Sequence, residues 1–97
     1  MVLEMAVLNV RPGSADAFER AFAVAAPLIA NAAGCIAHEL HRCVEDPNRF
    51  LLLVRWRSLE DHTIGFRSSA DYQRWKQLLH PFYDPFPEVM HYTLTPA

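Results

Sequence analysis

From Val2 to Val10 the chain is aliphatic almost without a break, and Pro12-Gly13 closes the run. Such a stretch predicts a strand. Phe18, Ala21, Phe22, Ala25, Leu28, Ile29 and Ala32 then recur at steps of three and four, which predicts a helix over 15–32. Ser14 stands where an N-cap belongs, and Asp16 meets the positive end of the helix dipole. Pro27 removes one backbone hydrogen bond and is expected to kink this helix, and Gly34 to stop it. Residues 35–44 read as a second strand, Glu45-Asp46-Pro47-Asn48 as a turn, and 49–57 as a third strand, forming a hairpin. Ser58 opens a short helix. Ser68 and Ser69 cap another over 70–79, which Pro81 ends. An aromatic arm stiffened by Pro81, Pro85 and Pro87 leads to a last strand over 89–95.

The order βαββαβ with one helical layer is that of an α+β ferredoxin-like sandwich with an antiparallel sheet. Phe50-Leu51-Leu52-Leu53-Val54, the centre of the third strand, lacks polar alternation, so both of its faces need cover. Helices of one subunit cover one face. A second copy is the simplest cover for the other, which predicts a homodimer built as an α+β barrel.

Composition sharpens this expectation. A chain of 97 residues fits a single domain spanning 1–97. A domain of that size hides only roughly 60–65% of its unfolded surface, yet 52% of the residues are hydrophobic. A net charge of −2 with no basic cluster offers nucleic acid no electrostatic footprint. The N-terminus lacks the pattern of a signal peptide, and the charge-free stretch 21–37 is interrupted by Pro27, Asn31 and Gly34. No membrane span and a cytoplasmic location are therefore expected. Cys35 and Cys43 lie about 27 Å apart along one strand, too far for a disulfide.

The chemistry-bearing residues form no familiar cofactor motif. Gly13, Gly34 and Gly65 make no phosphate loop, and no Gly-x-Ser-x-Gly occurs. In His38-Glu39-Leu40-His41 the two histidines point to opposite faces of a strand, which argues against a shared metal and reads as a surface or interface strand. His62 is more informative. It shares a helical face with Leu59 and Phe66, where it is either a hydrogen-bonded core histidine or a base beside an apolar cavity. Trp56 lies on the same face as Leu52 and Val54, as a core plug or as a flat wall with an N–H to donate to a ligand. Phe66, Tyr72, Trp75 and Tyr83 are candidate lining residues, with His80 and His91 in reserve. The arm with Phe82, Tyr83 and Phe86 reads equally as dimer strap or pocket lid.

The stretch Leu53-Val54-Arg55-Trp56-Arg57-Ser58-Leu59-Glu60-Asp61-His62, followed by Phe66-Arg67-Ser68-Ser69-Ala70-Asp71-Tyr72, resembles the antibiotic biosynthesis monooxygenase domain. Gly34-Cys35-Ile36, the Asp46-Pro47 turn and the closing segment 79–87 with His91-Tyr92 agree with it. The resemblance implies a dimeric α+β barrel with one pocket per subunit. It also implies oxygenation of phenols without metal or flavin. Trp56 matches the family's strand-end tryptophan, and His62 falls where some members place a polar pocket residue. The Asn, Trp and His of the haem-degrading branch are replaced by Ala6, Gly65 and Lys76, with Asn9 nearby, which argues against haem.

The leading expectation is thus a monooxygenase with no cofactor, acting on a small aromatic molecule and O₂, with His62 and Trp56 as catalytic residues. A non-enzymatic dimer that binds an apolar metabolite, and an isomerase built on the same histidine, are the alternatives.

Overall fold

The structure is a computed structural model describing residues 1–97. Four strands, β1 (Val2–Asn9), β2 (Cys35–Arg42), β3 (Arg49–Trp56) and β4 (Val89–Tyr92), form one antiparallel sheet in the order β2-β3-β1-β4. Helices α1 (Ala15–Ala30) and α2 (Ala70–Leu79) pack against each other on one face of it. This is the expected ferredoxin-like βαββαβ arrangement.

Strand periodicity decides which residues meet the helices. In β3, Phe50, Leu52, Val54 and Trp56 are buried, whereas Leu51 and Leu53 are only half-buried. In β1, Glu4, Ala6 and Leu8 point inward and pair with Val54, Leu52 and Phe50. Phe18, Phe22, Ala25 and Ile29 of α1, with Trp75 and Leu79 of α2, complete the core. The opposite sheet face carries Met5, Val7, Leu51, Leu53 and Met90, none of them buried. His38 lies opposite Val54 and His41 opposite Leu51, on the two different faces that alternation requires.

Several boundaries differ from the sequence-based expectation. Helix α1 runs through Pro27 but stops at Ala30, and the Ser14 side chain makes no cap hydrogen bond. Its carbonyl instead accepts from the Phe18 N–H at 2.8 Å. Ser69 does cap α2, its Oγ accepting from the Tyr72 N–H at 3.1 Å. Strand β4 ends at Tyr92 rather than Thr95. Its partner β1 has almost run out there, Tyr92 facing Leu3 and β1 beginning at Val2. The short helix after β3 is a π-helix, Asp61–Phe66, preceded by Ser58, whose Oγ accepts from the Asp61 N–H at 3.2 Å. A 3₁₀ turn, His80–Phe82, follows α2 and leads into the arm.

Gly34 fixes where the π-helix sits. It has φ +84°, which glycine adopts without penalty, and a Cβ there would run into the Asp61 side chain. The backbone also passes close, the Arg57 N–H donating to the Gly34 carbonyl at 2.8 Å.

Candidate functional site

A cavity of about 340 Å³ lies between the sheet and the helices. Its floor is Ala6, Leu8 and Leu52 of β1 and β3. Its walls include Phe66 of the π-helix, Tyr72 and Trp75 of α2, and Tyr83 and Phe86 of the arm. Ala6, small among its β1 neighbours, leaves space, and aromatic residues surround it. The polar groups facing in are few: Glu4, His62, Arg67 and His80.

Glu4 and His62 are the two buried polar or charged residues of the chain. The Trp56 Nε1–H donates to Glu4 Oε1 at 2.8 Å. His62 Nε2 lies 3.4 Å from the same oxygen. On the other side of the ring, His62 Nδ1 and His91 Nε2 share a hydrogen bond of 2.8 Å. The His62 imidazole stacks on the Trp56 indole, with centroids 5.1 Å apart and planes 16° from parallel. Carboxylate, indole and two imidazoles thus form one connected polar group inside an apolar wall.

The topology produces this cluster. Glu4 faces inward on β1, directly between its register partners Val54 on β3 and His91 on β4. Trp56, two residues beyond Val54, therefore projects from the same sheet face. The π-helix lowers His62 onto Trp56, its wider turn being closed by the Arg67 N–H donating to the His62 carbonyl at 3.1 Å.

Burial dominates the electrostatics. It raises the Glu4 carboxyl above its ordinary range, against the pull of the Trp56 hydrogen bond and the Arg67 charge. It pushes His62 down to about 3, helped by the nearby Arg67 and His91. At neutral pH the His62 ring is therefore uncharged. An uncharged ring has one N–H, so it donates to one neighbour and accepts from the other. His91 and His80 are also lowered, chiefly by desolvation. Burial raises Tyr83, which stays a phenol.

The candidate residues divide as follows. Phe66, Tyr72, Trp75, Tyr83, His80 and His62 all line the cavity. Trp56 is not its wall: it is completely buried behind His62, and its N–H is committed to Glu4 rather than offered to a ligand. His91 does not line the cavity but stands behind His62. Leu59, expected on the inward face beside His62, is exposed, because the wider π-turn needs more than four residues to come round and so breaks the spacing of three between them. His62 does not stand alone beside the cavity: Glu4 lies at one ring nitrogen and His91 at the other. Sequence reasoning missed Glu4 and Arg67. The alternation Glu4, Ala6, Leu8, Val10 marks Glu4 as inward, but the intervening Met5 and Val7 hide that period in a run that is apolar almost throughout.

This fold, with a cavity of this kind beneath the helices, defines a class. The chain belongs to the antibiotic biosynthesis monooxygenase family, whose sequence profile matches residues 1–78. It is 52% identical over 92 residues to the uncharacterized protein YczJ of Bacillus subtilis (strain 168), covering 95% of this chain and 97% of that one. A Bordetella bronchiseptica protein assigned as an antibiotic biosynthesis monooxygenase has a crystal structure that superposes with a TM-score of 0.92. It is 37% identical, with 97% and 96% of the two chains covered. SnoaB, a cofactor-independent oxygenase from Streptomyces nogalater, shares the fold at a TM-score of 0.85 with 19% identity, covering 99% of this chain and 94% of that one. No helix is long and apolar enough to cross a membrane.

Proposed function

We propose that this protein is a homodimeric, cofactor-independent monooxygenase of small electron-rich aromatics such as phenols, hydroquinones or anthrones. The observation that carries the reading is an aromatic-walled cavity with a buried carboxylate–imidazole pair at its inner end. Its volume of about 340 Å³ suits a molecule of one to three rings, small-molecule sites running from roughly 300 to 1,000 Å³.

Glu4 Oε1 is occupied by Trp56 and faces His62, which leaves Oε2 to accept a proton from the substrate. Loss of that proton turns a phenol or anthrone into an anion that itself reduces O₂. For a ring methylene oxidised to a carbonyl, the substrate gives up four electrons and two hydrogens. One oxygen atom enters the product, and the other leaves as water. The protein supplies a dry cavity, the base, and Arg67 as the cation beside the developing oxyanion and peroxide. The SnoaB likeness supports the same chemistry. The dimer rests on the apolar sheet face, which the helices leave uncovered.

The carboxylate–imidazole pair also favours a second reading, an isomerase that moves a proton without consuming O₂. One experiment separates them. Metal-free protein is offered a panel of hydroquinones and anthrones, and oxygen uptake is followed. Uptake that falls by about 100-fold or more in Glu4→Gln supports the oxygenase. Anaerobic deuterium exchange into a bound ligand with no oxygen uptake assigns the isomerase, and binding with neither assigns a carrier.

A further inference from the structure

We propose that Glu4, His62 and His91 form a proton exit line that carries each proton taken from the substrate out of the cavity and releases it at β4. The proposal rests on the oxygenase reading for what enters the line, and on the geometry alone for the line itself.

Three observations carry it. The groups are consecutive: Glu4 Oε1 is 3.4 Å from His62 Nε2, and His62 Nδ1 is 2.8 Å from His91 Nε2. Their accessibility rises along the same path, from buried Glu4 and His62 to half-buried His91 on the edge strand. The middle group is an imidazole, the one side chain that takes a proton on one nitrogen while giving up another from the opposite nitrogen. A plain core histidine needs one partner; this one has a partner on each nitrogen.

The protons balance. At rest Glu4 is a carboxylate with His62 Nε2–H 3.4 Å from it, and His62 Nδ1 accepts the His91 Nε2–H. A substrate proton converts Glu4 to the acid, and both imidazoles change tautomer with no net gain of protons: each gives up its Nε2 proton and takes one on Nδ1, so that bare His62 Nε2 faces Glu4, His62 Nδ1–H faces bare His91 Nε2, and His91 carries its proton on Nδ1. The acid then gives its proton to His62 Nε2 while the Nδ1 proton passes to His91 Nε2. His91 loses its Nδ1 proton to water, and the resting arrangement returns. Without His62, the group beside Glu4 that can accept a proton, the buried carboxyl has no route away from the cavity for it. Arg67 lowers the affinity of both imidazoles for a lasting positive charge, so the proton passes through rather than settling.

The test has two arms. In the first, unmodified protein labelled with ¹⁵N at histidine is examined by NMR for nitrogen–nitrogen coupling across the His62–His91 hydrogen bond. One shared proton with a coupling that disappears in His91→Gln supports the line; two rings without coupling overturn it. In the second, His91→Gln is compared with the unmodified protein on a substrate from the panel. The expected result is a kcat lower by about tenfold or more with KM unchanged, restored by added imidazole in proportion to its concentration. An unchanged kcat overturns the line, as does a loss that imidazole fails to restore in folded, ligand-binding His91→Gln. If the unmodified protein turns over no panel member, the oxygenase reading fails and the coupling alone decides the line.

Discussion

The bond from Trp56 to Glu4 sets the energy of the site, and a double-mutant cycle measures it. Trp56 is completely buried, and its Nε1–H donates to Glu4 Oε1 at 2.8 Å. Trp56→Phe removes that donor and leaves a void where part of the indole stood. A hydrogen bond to a charged group contributes about 1.5–3 kcal/mol. A methyl-sized void costs about 1 kcal/mol. The single variant should therefore lose about 2.5–4 kcal/mol, a large share of the roughly 5–15 kcal/mol that holds a domain together. The void term is the same whether or not residue 4 is a carboxylate; the bond term is not. In a Glu4→Met background, which keeps the volume and removes the acceptor, Trp56→Phe should cost only the void term, about 1 kcal/mol. Urea unfolding of the four proteins gives both numbers. A coupling energy below about 0.5 kcal/mol would show that Trp56 is only a core plug, with no part in holding the carboxylate.

Four further outcomes are expected. Gly34→Ala should destabilise by more than about 1 kcal/mol, since it forces a left-handed backbone on a residue with a Cβ and drives that Cβ into Asp61; thermal unfolding reads the cost. His62 binds its proton at about pH 3 when folded and near 6.5 when unfolded. The unfolded chain is thus the more protonated between those values, and stability should fall as pH drops from 6.5 toward 3, with a slope from this residue of at most about 1.4 kcal/mol per pH unit. Glu4 opposes this above its unfolded value of 4.5, its raised pKa making the folded state the better proton binder there; Glu4→Gln should therefore steepen the acid slope in urea titrations run from pH 7 to 4. Leu53→Glu places a carboxylate on the outer sheet face beside Met5 and opposite Glu39. Sedimentation and circular dichroism should show unfolded or aggregated protein, and a folded dimer as stable as the unmodified one would refute the proposed interface.

The fold was legible because each element carries its own signal. The period of α1, the Ser69 cap and the unbroken apolar centre of β3 are local, and they determine order, layers and faces. What was hidden depends on neighbours. Ser14 reads as a cap, but whether its hydroxyl turns back depends on backbone angles that the residue type does not set. The length of β4 depends on where β1 begins. Trp56 and His62 were legible as inward residues next to a site, but their roles depended on Glu4, 52 positions from Trp56 along the chain. Pairing of that separation leaves no mark in periodicity or spacing.

The extra width of the turn at Asp61–Phe66 also governs how this chain is compared with its relatives. A π-helix holds one residue more per turn than a regular helix needs, and such bulges occur mainly at functional sites because they are otherwise unfavourable. A relative that lacks the bulge is one residue shorter here, so residues before and after the segment align with different offsets. Site positions carried across without a gap would then land one place away from His62 or from Phe66. By the same reasoning, deleting Thr63, whose side chain bonds only to the Leu59 carbonyl in its own turn, gives the segment a chance to relax into a regular helix. The shorter chain would gain in helix geometry while turning His62 away from Glu4. The cost of the bulge is thus the cost of holding one imidazole in place.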